Sequence, residues 1–242
     1  MNFGHLSIKK TLSDEEIEKQ YGRTWIWTAL DATSRLIICH HIGDRTLEEC
    51  RVFFKELKER IDNKPMFTSD ELPHYKTVIL ESYHIEQSFE KTGKPGRPKS
   101  PIKIIDPEID YATVHKTREN SKITNVERKI VFGDANRIQK RLEASPSKKI
   151  NTAYIERSNG TLRLYDSHLQ RKTIKFAKEM SLFKAKLAII VAYYNLVKPH
   201  YTLSKNEDKT FTPRTPAMVA KITKSPWKIE NLLWTPIIHI NN

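Results

Sequence analysis

Cysteines are scarce in this chain, and long apolar runs are absent. Cys39 and Cys50 are the only cysteines among 242 residues, and because no CxxC pair occurs, a zinc site of the usual spacing is excluded. Cys39 falls in an apolar strand pattern and Cys50 on the inner side of a helix pattern, so we expect buried thiols in a reducing compartment. The longest apolar run, Leu187 to Tyr194, is too short to span a membrane, and the polar N-terminus has no signal-peptide pattern. A soluble, cytoplasmic protein is expected.

Acidic residues are outnumbered by basic ones. The chain has 42 Lys and Arg residues against 29 Asp and Glu, a net charge of +13, and its pI is about 9.6. Uncompensated positive charge of this size predicts a polyanionic partner such as a phosphate backbone. Hydrophobic residues make up 38%, which is enough for a core, and the length predicts one large domain or a domain with an appendage.

The first part of the chain alternates strand and helix patterns. Residues 24–31 are apolar on both faces, as in a covered central strand, and residues 36–42 return as the second strand of an antiparallel hairpin. Thr46-Leu47-Glu48-Glu49 is a capping-box pattern, and helical spacing continues from it to Ile61. Residues 66–69 predict a further strand, which must run parallel to a neighbour because a helix separates them.

The middle of the chain is basic. Residues 90–103 are rich in Pro, Gly and Lys without periodicity, which predicts a loop. Its Gly96-Arg97-Pro98 core is similar to minor-groove AT-hook peptides, so Arg97 and Lys99 are candidate DNA contacts, with a plain solvated loop as the alternative. Residues 111–115 and 123–132 are strand-like and carry many Lys and Arg residues.

Two acidic positions are distinguished by their context. Phe67-Thr68-Ser69-Asp70-Glu71 is typical of a strand that carries a carboxylate at its C-terminal tip. Glu156, Asn159 and Arg163 are spaced i, i+3 and i+7 on a predicted helix and therefore share one face. Two carboxylates brought together on a basic protein predict a divalent metal that acts on nucleic acid. By contrast, we expect a solvated acidic loop from three neighbouring residues: Asp106, Glu108 and Asp110.

The C-terminal part is predicted to be helical. Residues 180–197 are apolar nearly all round, which predicts a deeply buried helix, and two short helices are expected to start at Pro216 and Pro226. The order hairpin, helix, strand, helix, insertion, helix predicts an α/β, ribonuclease H-like mixed sheet flanked by helices. The expected division is a first strand and linker (1–20), a ribonuclease H-like domain (21–200) with a basic insertion (90–150), and a tail (201–242).

Four motifs follow one another along the chain. They are Trp25-Ile26-Trp27-Thr28-Ala29-Leu30-Asp31-Ala32 with Gly43-Asp44-Arg45-Thr46; Phe67-Thr68-Ser69-Asp70; Tyr154-Ile155-Glu156-Arg157-Ser158-Asn159; and Tyr193-Tyr194-Asn195-Leu196-Val197-Lys198-Pro199-His200 with Thr215-Pro216-Ala217-Met218. With these motifs the chain resembles the DDE transposases of bacterial and archaeal insertion sequences, particularly the shortest-element type. Their catalytic domain is ribonuclease H-like, as in retroviral integrases, and the resemblance covers about residues 20 to 235.

The resemblance implies cut-and-join chemistry on DNA, with the ends of a mobile element and a target as substrates and a homo-oligomer assembled on them. Asp70 corresponds to the second catalytic acid and Glu156 to the third, and they would share two Mg²⁺ (or Mn²⁺) ions roughly 3.5–4 Å apart. Arg163 occupies the place of a basic residue that lies against the DNA, and Arg157 and Asn159 are further candidate contacts.

The first acid of the family has no obvious counterpart. Counting strands back from Asp70 places strand one before residue 20, where only Phe3–Ile8 can form it and no acid precedes Asp14. The expectation is an N-terminally truncated transposase that has lost most metal binding and activity. The alternative first acid is Asp31, although it falls in a hairpin turn, where Asp is common.

Three functions therefore stay open: a transposase, a non-catalytic DNA-binding or dimerising remnant, and a ribonuclease H-like nuclease. The tail motifs favour the first two over the third.

Overall fold

The structure, a computed structural model, describes residues 1–7, 24–89, 100–120, 122–170, 175, 177–207 and 210–234. The strands are β1 (Asn2–Ser7), β2 (Trp25–Leu30), β3 (Ile37–Gly43), β4 (Met66–Ser69), β5 (His84–Gln87), β6 (Ile102–Ile105), β7 (Asp110–Glu119), β8 (Lys122–Phe132), β9 (Lys205–Glu207) and β10 (Thr210–Thr212). The helices are α1 (Leu47–Lys58), α2 (Pro73–Ser82), α3 (Ala135–Ala144), α4 (Ala153–Tyr165), α5 (Met180–Ala192), α6 (Pro216–Val219) and α7 (Ile229–Trp234). A 3-10 turn (Ser167–Leu169) follows α4, and a π-helical turn (Tyr193–Val197) follows α5.

A mixed six-stranded sheet organises the chain, in the order β3-β2-β1-β4-β7-β8. The pairs β1/β4 and β4/β7 are parallel and the other neighbours are antiparallel. The predicted α/β class, with a mixed sheet flanked by helices, is confirmed. Strand one, expected at Phe3–Ile8, is observed as Asn2–Ser7 in the middle of the sheet, and Ile8 lies outside the described residues.

Side chains of β2 alternate between two hydrophobic cores, one on each face of the sheet. The first core is aromatic, and the ring of Phe3 stacks on that of Phe67 with 5.3 Å between centroids. Rings from α1 and α2 complete it: Phe53, Phe54 and Tyr75. The second core packs Ile26 and Leu30 against α4 and α5 through four side chains: Ile155, Leu162, Phe183 and Leu187.

Both cysteines are buried free thiols, as predicted. They belong to the aromatic core, Cys39 from β3 and Cys50 from α1. Burial raises the pKa of each thiol to about 12, so both are protonated at neutral pH.

Helix α1 begins where its sequence predicts, but its capping box is half formed. Thr46 Oγ1 accepts a hydrogen bond from the Glu49 N–H at 3.3 Å. The Glu49 carboxylate does not return the bond to Thr46; it lies 2.5 Å from His41 Nε2, and His41 Nδ1 is 3.2 Å from Glu56. These polar contacts join α1 to β3. The helix ends at Lys58, one turn before the predicted Ile61.

The prediction that residues 180–197 are deeply buried is wrong for one face of α5. Phe183, Leu187 and Val191 are buried, whereas Leu182 is 66% and Ile189 50% exposed, because only one stripe of the helix contacts the sheet and α4. Residues 180–197 form the single stretch of the described chain that is long and apolar enough to cross a membrane, with a mean hydropathy of 1.3. Core helices of soluble proteins pass the same test, and the buried stripe belongs to the second core.

The region predicted as a basic insertion contributes strands to the main sheet. β7 pairs with β4 over four residues and then continues with β8 as a long two-stranded ribbon. Residues 102 and 103, predicted as loop, lie in β6, which pairs with β5. In the tail, α6 begins at Pro216 as predicted. The next helix begins at Ile229 and not at Pro226.

Candidate functional site

Asp70 follows the last residue of β4, at the carboxyl end of that strand. Its carboxylate is partly exposed and accepts a hydrogen bond of 3.4 Å from the Leu72 N–H. The preceding residue is anchored, since Ser69 Oγ lies 2.8 Å from the Tyr111 hydroxyl of β7. Residue 70 is therefore held where β4 gives way to α2.

Glu156 lies in the first turn of α4 and is bound to β7. Its carboxylate forms an ion pair with Lys116 and accepts a hydrogen bond from Thr152 Oγ1 at 2.6 Å. Burial opposes ionisation of this group, but the hydrogen bonds from Lys116 and Thr152 outweigh it and lower the pKa of Glu156. Lys116 is three residues beyond Thr113, which pairs with Ser69. Glu156 and Asp70 thus lie at the same end of the sheet, the end at which β4 stops.

The other predicted residues of α4 divide between solvent and core. Arg157 is exposed and Arg163 partly exposed. Asn159 is only 5% exposed, and its Oδ1 accepts no hydrogen bond within the described residues. The predicted polar face is therefore only in part a surface. Arg97 and Lys99 lie outside the described residues.

Gly4 takes the position on β1 that faces this site. The parallel register Asn2–Thr68 brings Gly4 level with Asp70, because each strand advances by the same rise per residue. A Cβ at position 4 would lie 2.7 Å from Ile155 Cγ1 and 3.2 Å from Asn159 Nδ2. Helix α4 therefore packs closely on the backbone of β1, at a place where a larger residue would force the Ile155 side chain to shift.

Asp31 is at the opposite end of β1. It follows Leu30, which pairs with Asn2, and its Oδ2 accepts hydrogen bonds from Ser34 N–H at 2.7 Å and Ser34 Oγ at 2.6 Å. Together with Thr68 it lines a cavity of about 180 Å³. The two hydrogen bonds from Ser34 to Asp31 close the turn between β2 and β3.

The donor set does not form a metal centre in the described part of the chain. No group of three or more His, Cys, Asp or Glu side chains among these residues could hold a metal ion. Asp70 and Glu156 are two carboxylates, and the second is already neutralised by Lys116. The resemblance implies three acids around two Mg²⁺ ions, and Asp70 and Glu156 account for two of them.

The expectation of a solvated acidic loop is wrong for Asp110. Its side chain is fully buried and accepts hydrogen bonds from Arg137 Nε at 3.0 Å and Nη2 at 2.6 Å. Arg141 Nε lies 3.2 Å away. The spacing of the two arginines, i and i+4 on a helix, is a signal that the sequence offered, since both then reach one carboxylate.

A long basic ribbon is the surface feature that the sequence indicated only as two strand-like segments. β7 loses its second neighbour after Thr113, so residues 114–119 pair with β8 alone. At about 3.4 Å per residue, they project roughly 20 Å past the end of β4. Arg118 acts on Glu156 electrostatically, in the same direction as Lys116.

No family model, curated protein or solved structure matches the chain.

Proposed function

We propose that this chain is a DNA-binding protein with a ribonuclease H-like core of the insertion-sequence transposase type. The strand order supports this proposal: a hairpin flanks the central β1, β4 runs parallel to β1 on its other side, and α1 connects the two halves. The observation that carries it is the edge where β4 ends. There Asp70, the Lys116–Glu156 pair and the start of a basic ribbon come together.

Charge supports DNA as the partner. The net charge of +13 favours a polyanion, and arginine and lysine side chains hold phosphates without reading bases. Element ends and target DNA would be the substrates, bound by a homo-oligomer in the cytoplasm.

Metal-dependent strand cleavage is a second candidate, favoured by the shared edge of Asp70 and Glu156. Bound Mg²⁺ or Mn²⁺ would activate the attacking oxygen and stabilise the leaving one. The described residues do not fit that pair of ions, because Gly4 carries no carboxylate beside Asp70 and Lys116 engages Glu156. The better-supported function is therefore DNA binding without cleavage.

Two assays on the purified chain test this. In the first, anisotropy of a fluorescein-labelled 30-base-pair duplex should show binding that is unchanged when EDTA replaces Mg²⁺. No binding at 50 mM salt would overturn the proposed function. In the second, supercoiled plasmid should remain unnicked in Mg²⁺ or Mn²⁺. Nicking that disappears in both Asp70→Asn and Glu156→Gln would establish the cleavage function instead.

A further inference from the structure

The two faces of the β7–β8 ribbon differ in charge. Side chains of directly paired residues lie on the same face, and the register pairs Val114 with Arg128, Lys116 with Val126, and Arg118 with Ile123. This face, here called the basic face, carries three positive charges and no acid. The opposite face has four charged residues besides His115, namely Glu119, Lys122, Glu127 and Lys129. These charges sum to zero, two positive and two negative.

Contacts with the rest of the molecule keep the basic face turned towards α4. Lys116 binds Glu156, and Arg128 Nε donates a hydrogen bond of 2.9 Å to the Ile150 carbonyl. The second contact attaches the ribbon to the loop that holds Lys148 and Lys149, both exposed. Glu156 of α4 is the acid that lies against this face, and because Lys116 neutralises it, its carboxylate does not repel an approaching phosphate.

We infer that the basic face of the ribbon, with the adjoining 148–149 loop, binds the phosphate backbone of duplex DNA. The inference rests on the proposed function and names the surface that performs it. A two-stranded ribbon is narrow enough to enter the major groove, which is about 12 Å wide. Arg118 and Arg128 are exposed on the side that would meet the backbone, whereas the opposite face has no net charge with which to attract it.

Two double variants of the same ribbon test the inference. Arg118→Gln/Arg128→Gln removes two charges from the basic face, and Lys122→Gln/Lys129→Gln removes two from the opposite face, so the net charge of both proteins is equal. Anisotropy with the 30-base-pair duplex is measured from 50 to 300 mM NaCl. The basic-face variant should bind about tenfold more weakly, and its slope of log K against log[salt] should fall by about 1.8, as for two lost phosphate contacts. The control should lose less than about threefold, because its charges make no phosphate contact.

Equal losses in the two variants would overturn the inference and leave the proposed function standing, since net charge alone would then account for binding. If the wild-type protein does not bind the duplex, both the inference and the proposed function are overturned. Tenfold tighter binding to single-stranded DNA or to RNA of the same sequence would overturn the assignment to duplex. Because Arg128 also contacts Ile150, the single variants Arg118→Gln and Lys122→Gln repeat the comparison without disturbing the loop, and thermal midpoints establish that all the variants fold.

Discussion

Gly4 allows helix α4 to pack closely against β1 beside the candidate site. A methyl group there would meet Ile155 Cγ1 at 2.7 Å, so the Ile155 side chain or helix α4 would have to shift. We expect Gly4→Ala to lower the free energy of unfolding by about 1–3 kcal/mol, the usual cost of overpacking. Urea denaturation measures the loss. The double variant Gly4→Ala/Ile155→Ala should lose less free energy of unfolding than the sum of the losses in the two single variants. Strict additivity would contradict the proposed contact.

Asp110 provides a second test at the scale of single residues. Its carboxylate is fully buried between Arg137 and Arg141, and breaking a buried pair by removing one partner costs about 3–5 kcal/mol. Since both arginines are about one-third exposed, we expect Asp110→Asn to cost about 2–3 kcal/mol on that scale.

Glu108 is the matched control for Asp110. It lies two residues before Asp110, in the turn that precedes β7, and pairs with Lys64 at 2.7 Å, but its side chain is 72% exposed. Glu108→Gln should therefore change the unfolding free energy by less than about 1 kcal/mol. Equal losses in the two variants, compared by urea denaturation, would show that the burial of Asp110 contributes nothing.

The sequence predicted these residues unequally. The place of Asp70 follows from a short apolar run and that of Glu156 from helical spacing, both local patterns. The fate of Asp110 depends on two arginines from a helix 27 and 31 residues later along the chain, and Gly4 acquires its role through contact with Ile155. Contacts of that kind depend on packing between elements that are distant in sequence, and local periodicity carries no information about such packing.

Asn195 connects the π-helical turn to the edge strand β3. Its Oδ1 accepts a hydrogen bond of 3.0 Å from the Ile37 N–H, and its Nδ2 donates one of 2.9 Å to the Ile37 carbonyl. The side chain thus continues the hydrogen-bond pattern of the sheet beyond its last strand. We expect Asn195→Ala to lower the free energy of unfolding by about 1–3 kcal/mol, because both backbone groups lose their partner.

The control for Asn195 is Asn63→Ala, at an exposed position in the loop before β4. Surface changes of this kind stay within about 0.5 kcal/mol. Hydrogen exchange gives a local readout as well, since the Ile37 amide should lose protection in Asn195→Ala and keep it in the control. An unchanged exchange rate would contradict the role of Asn195 at the sheet edge.

Elements with a strong period were predicted well. The hairpin of β2 and β3 and the start of α1 follow from alternation and from a capping signal. The buried side of helix α5 was not predicted, because hydrophobic residues are spread almost uniformly around the helix and do not indicate which stripe contacts the core. The position of the β7–β8 ribbon was not predicted either. Its strand pattern is visible, but its projection past β4 depends on where β4 ends.

For the molecule as a whole, acid should reduce stability in two stages. Burial lowers the pKa of His40 and of His200 below the ordinary value of 6.5, so the unfolded chain takes up these protons first. The stability that these two histidines contribute is therefore complete above about pH 6.5 and declines as the pH falls towards the folded-state values. Three carboxyl groups have a lowered pKa in the fold and add a second decline below about pH 4.5: Glu81, Asp106 and Glu156.

Thermal midpoints between pH 4 and 8 distinguish the two stages. The ring of His200 packs edge-on against Tyr194, with 4.5 Å between centroids, and a proton on it would be held among buried groups. In His200→Gln the decline between pH 6.5 and 5 should be shallower than in the wild type, whatever the substitution does to the midpoint at pH 8. The decline below pH 4.5 should be unchanged, because the carboxyl groups that cause it are untouched. A wild-type midpoint that stays constant from pH 8 to 5 would show that neither histidine is held neutral by its burial.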